Sequence, residues 1–402
     1  MAKAIYILLF IAGLSLQNLN LSSAESSQSL TSFEVVLECI ERQSADFDGR
    51  MYFSGSLRVS ERSGIWSFDH SLVPMPEPEM IDRNTNGLLG VAWIAPGITG
   101  IYKNASLELV AFGAGDQIVA RFPWQESWHG PYSLTLDDRI VVNKPHSPIR
   151  EENGFTIIHF DGAQLQFTDY LDWPYAYTTS TDRLTFYVSP TGSQVIYDAD
   201  FKTDEPYHVP GIILADIATH EVIWQTREGQ DLKANVARWS PDGSHFAYPK
   251  QISDGNPPYD FYTYRREIAL VDQAGQERIL SNFTQNGAVH QTPSRLHWSR
   301  DGRKIAFWLI DAVPPPRYLS PKTPFGSTLH ILDLDSQTIS NLCVRSPEKQ
   351  FPHFIWSPDS SSLIYVDWDT GIIMLIDLIG KTYNELSLGA FEVLDWVPIF
   401  SS

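Results

Sequence analysis

The sequence predicts an all-β fold in which one small antiparallel sheet is used many times, and three observations predict it. A short pattern recurs as Val188-Ser189-Pro190-Thr191-Gly192, Trp239-Ser240-Pro241-Asp242-Gly243, Trp298-Ser299-Arg300-Asp301-Gly302 and Trp356-Ser357-Pro358-Asp359-Ser360. Each copy runs on into a short apolar stretch that ends in an aromatic residue: Tyr197, Tyr248, Phe307 and Tyr365. Trp, Tyr and Phe, at 12, 17 and 21 residues, form a heavy aromatic load that suits sheet packed on sheet. Self-similarity at about 50 residues marks a repeat architecture, and that length holds four ordinary strands with their loops. The expected fold is therefore a β-propeller of four-stranded blades.

Each copy reads as a hairpin. Proline presets φ at the first turn position, the Asp or Thr side chain accepts or shares nearby hydrogen bonds, and glycine takes the positive φ that a side chain would penalise. The turn then fixes the register of the two strands. The large residue before it and the aromatic beyond it are placed to pack between neighbouring sheets.

From the start of the chain, Lys3, the apolar run 5–16 and Ser22-Ser23-Ala24 read as an export signal over residues 1–24. The run is 12 residues, short of the roughly 20 that span a bilayer. A lead-in segment follows at 25–47, with either a short helix around 33–42 or a strand at 33–40, and a single propeller domain is expected over 48–402. Weaker copies of the turn lie near 48, 97 and 138, so that with 191, 242, 301 and 359 there are seven marks. Seven blades are expected, with six as the alternative. Strands fill the intervals, for example at 107–112, 117–122, 156–160, 267–271, 328–332 and 372–376. The stretch Phe391-Glu392-Val393-Leu394-Asp395-Trp396 resembles a strand entering a turn, whereas Asp48-Gly49 opens a hairpin whose first half is missing. The C-terminal strand is therefore expected to complete the first blade and close the ring.

The formal charge of −19 disfavours nucleic acid and anionic lipid as partners. An exported product is secreted, periplasmic or extracellular, with no membrane span in the mature chain and a monomeric state expected. Its two cysteines, Cys39 and Cys343, could form one disulfide, which spacing alone leaves open.

The Trp-Ser-Pro-Asp-Gly copies resemble the TolB-type, WD40-like propeller repeat, also found in the propeller portions of prolyl oligopeptidases and dipeptidyl peptidases. The resemblance is strongest at 239, 298 and 356, fair at 188 and faint over the first 150 residues. It implies the fold and leaves the activity open. TolB carries a separate N-terminal α/β domain and the peptidases a C-terminal hydrolase domain, for neither of which this sequence shows a segment.

No Gly-x-Ser-x-Gly elbow, phosphate-binding glycine loop, Cys-x-x-Cys or His-Glu-x-x-His is present. No catalytic residue, metal ligand or cofactor is therefore assigned. Strand alternation puts the long connections 198–211, 249–264 and 311–326 on the face opposite the short turns. They carry Tyr207, His208, Tyr259, Tyr262, Tyr264 and Tyr318, and the same face receives His290 and His353. Rigid loops bearing amphipathic rings suit a protein, peptide or glycan ligand, so a non-catalytic binding module is expected. The alternative is an extracellular enzyme, such as a polysaccharide lyase or hydrolase, with its site at the ring axis. Some TolB-like lyases bind a divalent metal through clustered histidines there, which is what the resemblance adds for His208, His290 and His353.

Overall fold

The computed structural model describes residues 33–42, 50–56, 63–69, 79–82, 100–103, 108–112, 118–123, 129–134, 139–143, 154–161, 164–171, 186–202, 208–226, 236–252, 266–283, 290–312, 326–346, 352–367, 371–387 and 390–397. All of them belong to the unit Ser32–Ser402. Among them there are strands and turns and no α-helix. The signal segment 1–24 lies outside the described residues.

Among the described residues the strands form seven separate sheets that follow one another along the chain. The second is Gly100–Lys103, Glu108–Phe112 and Ile118–Pro123. The third is His129–Leu134, Arg139–Asn143, Gly154–Asp161 and Gln164–Leu171. The fourth is Phe186–Val188, Gln194–Lys202, His208–Asp216 and Val222–Gln225. Arg238–Trp239, His245–Gln251, Arg266–Asp272 and Glu277–Ile279 make the fifth. His290–Trp298, Lys304–Ala312, Gly326–Asp333 and Thr338–Ser346 make the sixth, and Ile355–Trp356, Ser362–Asp367, Ile372–Asp377 and Thr382–Ser387 the seventh. Each is an antiparallel meander, the arrangement that short turns between consecutive strands dictate.

The first sheet joins the two ends of the chain. Ala390–Val397 pairs antiparallel with Arg50–Ser56, with Val393 opposite Phe53 and Val397 opposite Arg50, and Ser63–Asp69 and Glu79–Asp82 complete the meander.

Period-two alternation splits each strand between two apolar layers. Along Lys304–Ala312, Ile305, Phe307 and Leu309 face the fifth sheet beside Ala247, Ile268 and Leu270. The intervening Ala306 and Trp308 face the seventh beside Trp356, Leu363 and Tyr365. Val195 and Tyr197 pack with Phe155 and Ile157 of the third sheet, while Ile196 joins Phe246, Tyr248 and Val271 of the fifth. Tyr197, Trp308 and Trp356 are at most 1% exposed. Burying a side chain of this size contributes roughly 1.5–3 kcal/mol, and the repeat multiplies that gain at every sheet-to-sheet layer.

Over its described residues, 33–42, the lead-in segment is extended, not helical. Glu34–Leu37 adds to the sixth sheet in parallel with Thr338–Ser346, and Glu41–Arg42 adds to the seventh beside Thr382–Ser387. At its start the Phe33 amide donates to the Leu280 carbonyl of the fifth sheet's end at 3.2 Å. Phe33 is buried between the fifth and sixth sheets and Ile40 between the sixth and seventh. Cys39 is disulfide-bonded to Cys343, with the Cα atoms 4.8 Å apart. An isolated ten-residue helix is marginal in water, whereas the outer edges of these sheets offer a row of backbone partners. The segment is thus a strap across three successive sheets.

Candidate functional site

The repeated turn builds itself from its own side chains. Ser240 Oγ donates to Asp242 Oδ1 at 2.6 Å and accepts the His245 amide at 3.1 Å, while Asp242 Oδ1 also accepts the Ser244 amide at 3.0 Å. Ser299 with Asp301 and Ser357 with Asp359 repeat the first bond at 2.6 Å. Burial pushes the Asp242 carboxyl up, but the bonds from Ser240 and Ser244 outweigh it and hold the group below its ordinary value. Gly243 and Gly302 sit at φ +68° and +71°, and Ser360 takes the same left-handed conformation at 62° in the seventh sheet.

Each turn also fastens its sheet to the one before. The Trp239 indole N–H donates to the Tyr187 carbonyl at 2.9 Å, Trp298 to Arg238 at 2.8 Å, and Trp356 to His297 at 3.0 Å. Tyr187, Arg238 and His297 are equivalent positions, each one residue before the Val or Trp that opens its copy of the repeat. The first strands of the fourth to seventh sheets are therefore linked edge to edge by one bond used three times.

This ladder brings the side chains at those positions into a row. In each first strand the flanking residues belong to the apolar layers: Phe186 and Val188, Ala237 and Trp239, Leu296 and Trp298. Alternation turns the residue between them the other way, and Tyr187 there packs against the layer of Ile196, Phe246 and Tyr248. The Arg238 guanidinium lies 5.9 Å from the Tyr187 ring centroid, a cation–π contact. Burial pushes the Tyr187 hydroxyl up to about 12, opposed by the charge of Arg238 and reinforced by Asp198.

Two further groups join the row. His353 Nε2 lies 3.0 Å from the Arg295 guanidinium. Arg295 has φ +56° and sits where the pairing of His290–Trp298 with Lys304–Ala312 shifts between Ser294 and His297. A bulge with a left-handed, long-chained residue costs backbone strain and redirects a side chain. Burial, then the charges of Arg295, Arg238 and His297, bring the His353 imidazole down to about 3. Burial, then Arg238, with Arg300 adding a smaller push, bring His297 down to about 4 against a raising bond at Trp298. Burial also lowers Arg238, partly offset by Tyr187. The Nδ1 atom of His297 is buried without a hydrogen-bond partner.

Tyr187, Arg238, Arg295, His297 and His353 thus form one locus of rings and guanidiniums beside the first strands. Guanidinium charge repels a metal cation and attracts an anion. Among the described residues, no group of three His, Cys, Asp or Glu side chains is placed to hold a metal ion.

Of the residues singled out by sequence, only His353 has a described side chain in this locus. Tyr207, Tyr259, Tyr262, Tyr264 and Tyr318 lie outside the described residues. His208 and His290 open the strands His208–Asp216 and His290–Trp298, with Lys202 and Ala312 as their register partners. Tyr187, Arg238, Arg295 and His297 were not anticipated. The signal was available for three of them: they occupy the position just before the repeated Val or Trp, and that position is aromatic, cationic and imidazole in successive copies.

No protein-family model matches the chain, and no curated protein sequence does. Solved structures resemble it at low identity. The β-propeller domain of Cps50 (Swd1) from Myceliophteria thermophila is 10% identical with a TM-score of 0.42, covering 83% of this chain and 96% of that one. A TolB candidate from Agrobacterium tumefaciens is 16% identical with a TM-score of 0.39, covering 69% and 87%. The periplasmic gluconolactonase PpgL of Pseudomonas aeruginosa is 14% identical with a TM-score of 0.38, covering 77% and 99%. With scores this low, the case for the fold rests on the chain's own sheets and repeats.

Proposed function

We propose that the chain is an exported β-propeller that acts as a ligand-binding module and seats its ligand on the first strands of the fourth to seventh sheets. Seven blades surround one axis in this reading, the C-terminal strand closes the ring, and a peptide, glycan or smaller ligand approaches the ends of the first strands that lead into the short turns. The observation that carries the binding site is the convergence of Tyr187, Arg238, Arg295, His297 and His353. Like charges brought together away from full solvent cost folding free energy. Such a cluster is a functional-site candidate on physical grounds.

The test is ligand capture. Immobilised protein is exposed to medium from its native source, and the eluted small molecules, peptides and glycans are identified by mass spectrometry. Arg238→Gln should lose the captured species while unfolding at a similar denaturant concentration. Equal capture by the variant would show that the seat lies elsewhere.

A further inference from the structure

We propose that the Cys39–Cys343 disulfide is a redox latch: a dithiol reductant opens it in the folded protein, and the strap 33–42 then leaves the outer edges of the sixth and seventh sheets while the sheets stay intact. The latch does not depend on the ligand seat. The strap pairs with the fourth strands of these sheets, at the edge opposite their first strands.

Three observations carry it. First, Cys39 and Cys343 are both exposed residues, although Ile40 beside one and Leu342 beside the other are buried. A disulfide is reduced by attack of a thiolate on one of its sulfurs, so access decides whether the folded protein can be reduced, and exposed or strained bonds are the labile ones.

Second, Cys343 sits in a break of the sixth sheet. Thr328 lies opposite Arg345 and His330 opposite Asn341, so residues 342–344 together face Leu329. Cys343 takes φ +60° in this bulge, and its amide donates to Asn341 Oδ1 at 2.9 Å. A bulge re-aims a side chain, and a left-handed residue other than glycine costs backbone strain. The parallel pairing of the strap with this strand ends at Leu37 opposite Asn341, and its next pairing, Glu41 with Thr382, is in the seventh sheet. The bond therefore holds the strap at the step from one sheet to the next.

Third, the remaining hold on the strap is thin. Pairing covers one side of Glu34–Leu37 and of Glu41–Arg42. Phe33 and Ile40 are buried, whereas Val35 is 46% and Leu37 73% exposed. The ion pairs Glu38–Lys381 at 3.2 Å and Arg42–Glu385 at 2.8 Å join largely exposed side chains, where such pairs contribute little. Against these contacts stands the entropy of ordering every residue from 33 to 42. Two apolar anchors and a one-sided ladder offset that cost narrowly, so the covalent link decides whether the strap stays.

The chemistry balances with the dithiol alone. One thiolate of the reductant attacks a sulfur of the pair, a mixed disulfide forms, and the other cysteine departs as thiolate. The second thiolate of the reductant then attacks its own sulfur in the mixed disulfide and releases the remaining cysteine. Two electrons pass to the protein, the reductant becomes a disulfide, and its two thiol protons end on Cys39 and Cys343. The freed strap uncovers Thr338–Ser346 and Thr382–Ser387 as edge strands with unpaired backbone groups, which is the form that adds an extended segment.

The experiment treats the full chain with dithiothreitol at pH 8, without urea and at several urea concentrations below the unfolding transition. Alkylation followed by peptide mass spectrometry counts the freed Cys39 and Cys343, and amide exchange reads the backbone. Both thiols should appear without urea, at a rate that urea below the transition leaves unchanged. Exchange at 34–42 should rise about tenfold or more, while exchange in Lys304–Ala312 and Ser362–Asp367 stays within about twofold. Oxidised glutathione should restore the slow exchange, and the Cys39→Ser, Cys343→Ser variant should show the fast exchange without reductant. A bond that opens only when urea unfolds the sheets, a reduced chain whose strap still exchanges slowly, or a rise spread across the sheets overturns the latch.

Discussion

Acid should destabilise this protein well above the pH at which its carboxylates titrate. The folded state holds His297 near 4 and His353 near 3, each from an ordinary value of 6.5. Both are bases with depressed folded values, so between about pH 4 and 6.5 the unfolded chain binds more protons than the folded one. Stability is then complete above pH 6.5 and falls as the pH drops below it. At pH 5 the integrated loss is about 2 kcal/mol for each imidazole, trimmed to roughly 1–2 kcal/mol each for their partial exposure.

Among the described residues, the groups acting on these imidazoles are Arg238, Arg295 and Arg300, with His297 also acting on His353 and Tyr187 beside Arg238. The carboxyls of Glu38, Asp216, Asp242 and Asp359 are held below their ordinary values, so their contribution is lost only at lower pH. Urea unfolding followed by tryptophan fluorescence, at pH 7.5, 6.5, 5.5 and 5.0, measures the effect. The His297→Gln, His353→Gln double variant supplies the reference, because relief of the chain's negative self-repulsion is common to both proteins. The wild type should lose about 2–4 kcal/mol relative to the variant across that window. A difference that stays constant from pH 7.5 to 5.0 would refute the cluster as described.

Other expectations follow from the turns and the strap. Trp298→Phe removes the indole donor from the Arg238 carbonyl and should cost about 1–2 kcal/mol in urea unfolding. Gly243→Ala places a Cβ 3.1 Å from Thr191 Cγ2 at φ +68°, whereas Gly302→Ala at φ +71° meets only Pro241 Cδ at 3.6 Å. Gly302→Ala should cost about 1 kcal/mol and Gly243→Ala measurably more, read from the same unfolding curves. The Cys39→Ser, Cys343→Ser pair opens a link between residues 304 apart and should cost roughly 2–5 kcal/mol. Amide exchange at 34–42 should speed up in that variant more than exchange in the sheets.

The four clear repeats were legible because their turns are local: Ser, Pro, Asp and Gly specify the hairpin through bonds spanning at most five residues. The same locality made the alternation of Ile305, Ala306, Phe307 and Trp308 readable as a strand buried on both faces. The strap at 33–42 was harder, because its state is decided by Thr338–Ser346 and Thr382–Ser387, some 300 residues away. Its own residues are compatible with helix or strand, and the unpaired edges of distant sheets chose between them. The locus beside the first strands was missed for a related reason. Arg238, His297 and His353 are scattered in sequence, and the apolar layers between sheets and the Trp-to-carbonyl ladder bring them together. A motif search looks for residues close in sequence, whereas a repeat protein aligns residues one repeat apart.

The central claim is that Ala390–Val397 pairs antiparallel with Arg50–Ser56, so that strands far apart in sequence share one sheet. Glu392 lies opposite Ser54 in that sheet, and directly opposed residues of an antiparallel pair are spaced for a disulfide. A Ser54→Cys, Glu392→Cys variant, oxidised under native conditions and mapped by peptide mass spectrometry, should form the 54–392 link with Cys39–Cys343 intact. Absence of that link, or its formation only after unfolding, would contradict the account.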